Sequence, residues 1–381
     1  MSRRSGVRAI AAVLALSLVA AACGDDDDGD EAATATSEGT PSSEGSAEMT
    51  PVTLQLQWFA QGQFAGYYAA AAEGYYEDEG LEVEIVEGGV DIVPQTQLAT
   101  GAADFAIAWV PKALASREQG EAITNIGQIF QRSGTLQVSW ADDDIAGPED
   151  LAGKRVGNWG FGNEFELFAG LTQAGLDPAS DVTLVQQQFD MQALLAREID
   201  AAQAMTYNEY AQLLETVDPD TDELYTPDDF TVIDWNDVGT AMLQDAVWAD
   251  TERLDDAAYR ETAVKFLRAS MRGWMFCRDD HDACVAHVLE AGPTLGESHQ
   301  SWQVAETNKL IWPSPGGIGV MDQDLWDQTV DVAVEQGIIA EEPDDDAFTT
   351  ELAEEAIEGL DGDTTGEDYE APEVELLEGG A

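Results

Sequence analysis

Residues 52–85, VTLQLQWFAQGQFAGYYAAAAEGYYEDEGLEVEI, contain the pattern that decides the fold. Apolar and polar residues alternate over 52–57, as they do in a β-strand with one buried face. The Ala- and Tyr-rich stretch over 65–76 lacks Pro and predicts a helix, and Gly80 stands where a helix C-cap is expected. A second strand-like run closes the stretch, which therefore predicts a β-α-β unit.

Polar and aromatic residues follow the first predicted strand and begin the helix: Trp58, Gln61, Gln63, Phe64 and Tyr67. In open α/β sheets ligands bind at the carboxyl ends of the strands, near free N–H groups of the next helix. Aromatic faces stack on flat rings, and side-chain amides both donate and accept hydrogen bonds. This corner therefore suits a flat ligand with hydrogen-bonding edges. The alternative for Phe64 and Tyr67 is that they only fill the core.

The pattern W-x5-F-A-G-Y-Y followed by G-Y-Y-x-x-E-G-L-x-V resembles the opening of the thiamine-pyrimidine-synthase-like (SsuA/THI-type) family of periplasmic binding proteins. The resemblance continues through GGVDIVPQTQLATGAADFAIAW, QIFQRSG, DLAGKRVGNW and the Gly-Ile pair at 337–338, and covers roughly residues 52–340. It implies an α/β fold of the two-lobed, type 2 periplasmic-binding-protein kind, with a ligand cleft between lobes joined by two crossovers. Members carry sulfonates, nitrate, thiamine pyrimidine precursors or riboflavin to ABC importers.

The N-terminus has the features of a secretory signal. Residues 1–22 combine a basic start with an apolar run that is too short to span a bilayer as a mature helix. Ala20-Ala21-Ala22-Cys23 resembles a bacterial lipobox, which implies lipidation of Cys23 and an extracytoplasmic protein anchored to the cell membrane. A plain cleavable signal is the alternative. Residues 23–51 are acidic and nearly free of apolar side chains, so we expect a disordered tether.

Composition limits the class of protein. A hydrophobic content of 44% is that of a globular protein, and about 300 residues beyond the tether exceed one small core and fit two lobes. We assign 52–140 plus 236–345 to lobe one, 141–235 to lobe two and 346–381 to an acidic tail, disordered from 361. The formal charge of −60 excludes a nucleic-acid-binding protein and predicts a well-hydrated surface. We expect a monomer.

Further candidate ligand-binding residues lie at other predicted strand ends. They are Trp109, Arg132, Trp159, Asn163, Glu164, Tyr207, Asn208 and Glu209. Because strand ends of two lobes face one cleft in this kind of fold, we expect these corners to converge. Arg132 follows a predicted strand near the hinge, where it either reaches the ligand or braces the crossover.

Two cysteines lie close together in the pattern C-x3-H-x2-C-x2-H, which also suggests a metal site. In an exported protein, Cys277 and Cys284 favour a disulfide, with free thiols and zinc as alternatives. Residues seven apart on one helix are too far apart for a disulfide, so the bond requires a turn between them.

An enzyme is the alternative to a binding protein. The resemblance includes fungal members that make the thiamine pyrimidine from pyridoxal phosphate, held on a lysine, and a histidine of their own chain, with a cysteine cluster for iron. Lys112 is a candidate for the Schiff base, but no histidine precedes His281, Ser116 stands one turn after Lys112, and the cysteine cluster is missing. The sequence therefore indicates no catalytic residue, cofactor or metal.

The candidate residues together predict the ligand class. Aromatic, amide and acidic side chains suit a neutral planar heteroaromatic compound, a riboflavin-like ring or a thiamine-precursor pyrimidine. A sulfonate or nitrate would require more cationic donors. The expected partners are this small molecule and the permease and ATPase subunits of an ABC importer.

Overall fold

The structure is a computed structural model that describes residues 49–380. The predicted signal peptide, Cys23 and nearly all of the predicted tether lie outside the described residues. Within residues 49–380, no helix combines the length and the apolar character that crossing a membrane requires.

The first lobe is built on a five-stranded sheet in the order β2-β1-β3-β12-β4. Its strands are β1 (Thr50–Gln55), β2 (Leu81–Val86), β3 (Phe105–Trp109), β4 (Ile123–Gln128) and β12 (Asp245–Asp250). Strands β1, β2 and β3 pair in parallel, whereas β12 runs antiparallel to both of its neighbours. The predicted β-α-β unit is therefore present at the edge of this sheet.

Most helices of the described chain belong to this lobe. Those before the second lobe are α1 (Ala65–Ala72), α2 (Tyr75–Asp78), α3 (Pro94–Ala99) and α4 (Val110–Glu118). Those after it are α9 (Ala257–Asp279), α10 (His281–Ala291), α11 (Glu297–Ile311), α12 (Gln323–Glu335) and α13 (Glu351–Glu358). The single helix predicted over 65–76 is divided between α1 and α2 because Gly74 adopts a left-handed conformation with φ 73°.

The second lobe has a five-stranded sheet in the order β11-β5-β8-β6-β7. Its strands are β5 (Thr135–Trp140), β6 (Arg155–Asn158), β7 (Thr183–Gln186), β8 (Ala201–Met205) and β11 (Phe230–Asp234). A small hairpin pairs β9 (Val217–Asp218) with β10 (Glu223–Leu224). The helices are α5 (Phe165–Gln173), α6 (Gln192–Leu195), α7 (Glu209–Leu214) and α8 (Trp235–Val238).

The chain passes between the two sheets twice, at residues 129–134 and 235–244. The boundary predicted at residue 140 is wrong for strand β5, which pairs with β8 and β11 in the second sheet. All six β5 residues are buried. A fully buried strand has the same apolar pattern in either sheet, so the sequence did not reveal which sheet it joins.

Helices α1 and α9 pack closely against each other in lobe one. A Cβ atom at Gly273 would overlap the carbonyl oxygen of Gly66, and one at Gly66 would overlap the ring of Trp274. These two glycines therefore permit a backbone approach that no other residue allows. The contact places the Ala-rich helix α1 in the core.

The C-terminal segment 361–380 packs on the protein, so the prediction that it is disordered is wrong. Near its start, Ile318 N donates to Thr364 O at 2.8 Å. Near its end, Gly379 N donates to Glu215 O at 3.1 Å. Its acidic composition predicted disorder, but backbone hydrogen bonds and a few apolar contacts with the body of the protein hold it in place.

Candidate ligand-binding cleft

A cavity of about 720 Å³ lies between the two sheets, within the range of small-molecule sites. The segments that follow β1, β3, β6 and β8 all contribute to its walls. Both lobes therefore present strand-to-helix corners to one cleft. Two open hollows beside α12, of about 550 and 570 Å³, lie away from these corners.

The structure brings most of the sequence-predicted residues together at this cavity. Those that line it are Trp58, Gln61, Gln63, Trp109, Trp159, Asn163, Tyr207, Asn208 and Glu209. Four predicted residues are not among its lining: Phe64, Tyr67, Arg132 and Glu164.

Phe64 and Tyr67 lie in the core of lobe one, as the alternative interpretation held. Phe64 is fully buried, and the ring of Tyr67 meets Trp274 edge-on with 5.7 Å between centroids. Burial raises the pKa of Tyr67 well above its ordinary value. Tyr67 lies on the side of α1 that packs against α9, which includes Trp274.

Arg132 and Glu164 have structural contacts elsewhere instead. The Arg132 guanidinium donates to the carbonyl oxygens of Trp312 at 3.3 Å and Pro313 at 3.1 Å, so it braces the crossover. The Glu164 carboxylate accepts from Gly162 N at 2.9 Å and shapes the loop before α5.

Asp245 organises the floor of the cleft, although no sequence motif indicated it. One carboxylate oxygen accepts from Trp109 Nε1 at 2.8 Å and Gln57 Nε2 at 2.6 Å, and the other accepts from Gln63 Nε2 at 2.9 Å. Burial raises the pKa of Asp245 to about 7, against the opposing effect of these hydrogen bonds. The carboxylate therefore fixes the orientation of three residues that line the cavity.

A second polar cluster orients Asn208, which belongs to lobe two. Its Oδ1 accepts from Gln303 Nε2 and lies beside His299 Nε2, each at 2.9 Å. His299 Nδ1 in turn lies 3.0 Å from the Glu215 carboxylate. Since His299 and Gln303 belong to α11, this cluster ties the floor of the cleft to a helix that touches both lobes.

Aromatic rings from both lobes meet at one end of the cavity. Phe189 lies between Trp58 of lobe one, at 5.0 Å between centroids, and Trp159 of lobe two, at 5.9 Å. The Trp159 and Phe189 planes are 20° apart, which is a stacked arrangement. Phe189 was not among the sequence candidates, since it follows an edge strand whose local pattern carries no ligand-binding signal.

Lys112 also lines the cavity, together with Ser116 one helical turn later. Its Nζ donates to Asn163 Oδ1 at 2.8 Å and lies 4.7 Å from the centroid of the Trp109 ring. Burial lowers the pKa of Lys112 to about 8, while Glu164 and Asp245 oppose that shift. The sequence suggested Lys112 only as a Schiff-base candidate.

Cys277 and Cys284 form a disulfide in the structure, with 4.9 Å between their Cα atoms. The bond joins the end of α9 to the start of α10 across the break at Asp280. The neighbouring histidines form hydrogen bonds elsewhere, His281 with Ser301 Oγ and His287 with the Glu73 carboxylate. No group of three or more metal-ligating side chains occurs in the described part of the chain.

Comparison with known proteins agrees with this architecture. The sequence profile of the NMT1/THI5-like family matches residues 61–283, more than half of the chain. The chain belongs to the NMT1/THI5-like family. One solved structure of similar fold is the periplasmic sulfonate-binding protein SsuA from Methylobacillus flagellatus KT, with a TM-score of 0.61 and 16% identity over 82% of this chain and 94% of that one. The predicted two-lobed binding-protein fold is thereby confirmed.

Several proteins of known name align with this chain. The riboflavin-binding protein RibY of Chloroflexus aurantiacus is 28% identical over 79% of this chain and 85% of its own length. The formylaminopyrimidine-binding protein of Halalkalibacterium halodurans is 21% identical over 78% and 89%. The 4-amino-5-hydroxymethyl-2-methylpyrimidine phosphate synthase of Schizosaccharomyces pombe is 27% identical over only 39% and 43%. Two of these relatives are named as binding proteins and the third as a synthase, while the fold of this chain is that of periplasmic binding proteins.

Proposed function

We propose that this chain is the solute-binding lipoprotein of an ABC importer and that it binds a planar heteroaromatic vitamin or vitamin precursor. The observation that carries the proposal is the cleft itself, where aromatic rings and oriented amides from both lobes surround one cavity. The rings of a flat ligand stack on aromatic side chains, and its ring nitrogens and carbonyl oxygens form hydrogen bonds with the side-chain amides.

Cavity size and aromatic content favour a flavin over a single pyrimidine ring. About 720 Å³ exceeds the need of one six-membered ring, and tryptophans line the cavity at three separate corners: Trp58, Trp109 and Trp159. The two relatives that align over most of both chains are named for riboflavin and for formylaminopyrimidine. Riboflavin is therefore the first ligand to test and a thiamine-precursor pyrimidine the second.

The enzyme hypothesis rests on the synthase names of other relatives and on Lys112 in the cleft. In the described chain, none of the three histidines lines the cavity: His281, His287 and His299. Two of the three cysteines are joined in the disulfide, and the third is Cys23. The chemistry of the cleft therefore favours binding over synthesis. A sulfonate ligand fits less well, since Lys112 is the one basic side chain lining the described cavity.

We propose membrane anchoring through Cys23, so that the protein works outside the cytoplasm beside its permease and ATPase subunits. A Cys23→Ser variant lacks the thiol that would carry the lipid. We expect it to leave the membrane fraction for the medium or periplasm, while the control Ser17→Ala, changed in the preceding apolar run, stays bound. Equal membrane association of the two variants would contradict lipidation.

The ligand proposal is tested by titrating the purified protein with riboflavin, hydroxymethylpyrimidine, formylaminopyrimidine and taurine. Tryptophan fluorescence and calorimetry are the measurements. We expect riboflavin to bind and Trp58→Ala to weaken its binding about tenfold, because one stacking face is lost. A matched control is Tyr75→Ala, an aromatic residue of α2 outside the cavity lining. Tight binding of taurine and of none of the heterocycles would refute the ligand class.

A further inference from the structure

Lys112 occupies a place that is electrostatically unfavourable for a cation. It lies in the first turn of α4, shortly after Trp109, where the helix presents its positive end. Its side chain is partly accessible to the cavity. A lysine at this position destabilises the fold, because its charge opposes the helix dipole and lies inside a cleft. A role in binding therefore explains its presence better than packing does.

The partner of Lys112 across the cleft is held in a fixed orientation. Asn163 Oδ1 accepts from Lys112 Nζ at 2.8 Å, and Asn163 Nδ2 donates to Gly160 O at 2.7 Å. The main-chain oxygen of Asn163 accepts from the Gln203 side chain. Because Nδ2 is bound within its own loop, the amide oxygen faces Lys112. The loop reaches this shape through three successive residues with positive φ, from Gly160 to Gly162.

An ammonium group has three N–H donors, and the described residues accept only one of them. No carboxylate of the described chain lies within ion-pair distance of Lys112. The Asp245 oxygens already accept from Trp109, Gln57 and Gln63. Two strong donors of the ammonium are therefore free for acceptor atoms of a ligand.

We propose that Lys112 is the specificity-determining residue of the cleft and that it reads an acceptor edge of the ligand, a ring carbonyl oxygen or a deprotonated ring nitrogen. This inference rests on the proposed function, since it names the ligand class within the same site. A lysine ammonium only donates hydrogen bonds, so it pairs with carbonyl oxygens and unprotonated ring nitrogens and is opposed by an exocyclic amino group, which also donates. An imide edge presents two carbonyl oxygens, whereas an amino-pyrimidine places an amino donor beside its ring nitrogen, so Lys112 favours pyrimidinediones and flavins over amino-pyrimidines.

The same contact holds the ligand at the junction of the two lobes. Lys112 belongs to lobe one and Asn163 to lobe two, so an acceptor bound to this ammonium lies where the lobes meet. Ligand and Asn163 then share one cation, which couples binding to the approach of the lobes.

If Lys112 binds the ligand through its ammonium group, ligand affinity should depend on the protonation of Lys112, whereas a residue that only packs gives no such dependence. The acidic groups around Lys112 are Glu164 before α5 and Asp245 on β12, which act on its charge, and Glu209 on α7 and Asp91 before α3, which line the same cavity. Burial lowers the pKa of Lys112 to about 8. An acceptor bound to the ammonium favours its charged form, so affinity should fall as pH rises above about 8.

The test compares wild type, Lys112→Met and Lys112→Arg in titrations with riboflavin and with 4-amino-5-hydroxymethyl-2-methylpyrimidine between pH 6.5 and 9. We expect Lys112→Met to bind riboflavin at least about tenfold more weakly at pH 7 and without the fall in affinity above about pH 8. Lys112→Arg stays charged over this range, so it should retain more affinity than Lys112→Met and also lack that fall. Binding of the amino-pyrimidine should change less than about threefold in both variants.

The outcomes separate the inference from the proposed function. Wild-type affinity and pH profile in Lys112→Met, with riboflavin bound, would overturn the inference alone. A wild-type protein that binds neither heterocycle would overturn both. Circular dichroism and urea unfolding of each variant verify the fold, and the Lys112→Arg profile gives an answer even if Lys112→Met is unstable.

Discussion

Replacing Glu166 by Gln should change how the stability of this protein depends on pH. Glu166 is buried on α5, where it bonds to both crossovers between the lobes. One carboxylate oxygen accepts from Met242 N at 2.7 Å, and the other accepts from Ser133 Oγ at 3.0 Å. The amide of Gln has the shape of the protonated carboxyl group and no charge to bury.

The magnitude follows from the pKa of Glu166, which burial raises from 4.5 to about 7. A difference of about 2.5 pH units at 1.36 kcal/mol each corresponds to about 3 kcal/mol. Because the folded-state pKa is the higher one, the stabilisation is complete below pH 4.5 and is lost as pH rises through 7. The unfolded chain releases its proton first, so the free energy of unfolding falls over this interval.

Urea unfolding of wild type and Glu166→Gln between pH 5 and 8.5 measures the effect. We expect similar stability near pH 5 and a variant that is more stable than wild type by about 2–3 kcal/mol above pH 7. Asp245 and other groups contribute equally to both proteins, so the difference isolates Glu166. The exposed Glu290→Gln is a matched control and should follow wild type throughout. A difference between wild type and Glu166→Gln that stays constant with pH would refute the reasoning.

Three further substitutions or deletions test the packing. Replacing Cys277 and Cys284 by Ser opens a loop of sequence separation 7 and should cost about 2–3 kcal/mol, and an unchanged melting temperature under oxidising conditions would speak against the bond. Gly273→Ala forces a side chain against the Gly66 carbonyl and should lower the free energy of unfolding in urea by at least about 2 kcal/mol. An unchanged free energy of unfolding would show that α1 and α9 do not need this close approach. Deleting residues 371–381 should cost about 1–3 kcal/mol and leave ligand affinity unchanged, whereas an equally stable truncated chain would show that the segment does not contribute.

The sequence predicted the fold well because its signals are local. Alternation over residues 52–57 and the helical stretch after it specify a β-α-β unit without reference to the rest of the chain. The assignment of β5 to a lobe depends on which strands it pairs with, and pairing is not encoded in the strand alone. The ordered conformation of the C-terminal segment likewise depends on contacts with residues that are distant in the chain, such as Glu215.

The candidate site was predicted in part for the same reason. Strand ends located Trp58, Trp109 and Trp159, since the corners that follow β1, β3 and β6 face the cleft. Asp245 is one of 76 acidic residues, and only the three hydrogen bonds it accepts distinguish it. Phe189 gained its position from the packing of two lobes, which no local pattern contains.

The antiparallel strand of lobe one, β12, sets the order in which the chain can fold. Strand β4 hydrogen-bonds only to β12 in its sheet, and more than a hundred residues, including all of lobe two, separate them in the chain. Lobe two is one continuous segment, so its strands are all synthesised before β12 appears. The sheet of lobe one therefore cannot be completed until β12 pairs with β4, and until then the apolar side chains of β4 are exposed to solvent. We expect this pairing to be the slow and aggregation-prone step of folding. A circular permutant with its new ends between α8 and β12 would make lobe one continuous and should remove that delay.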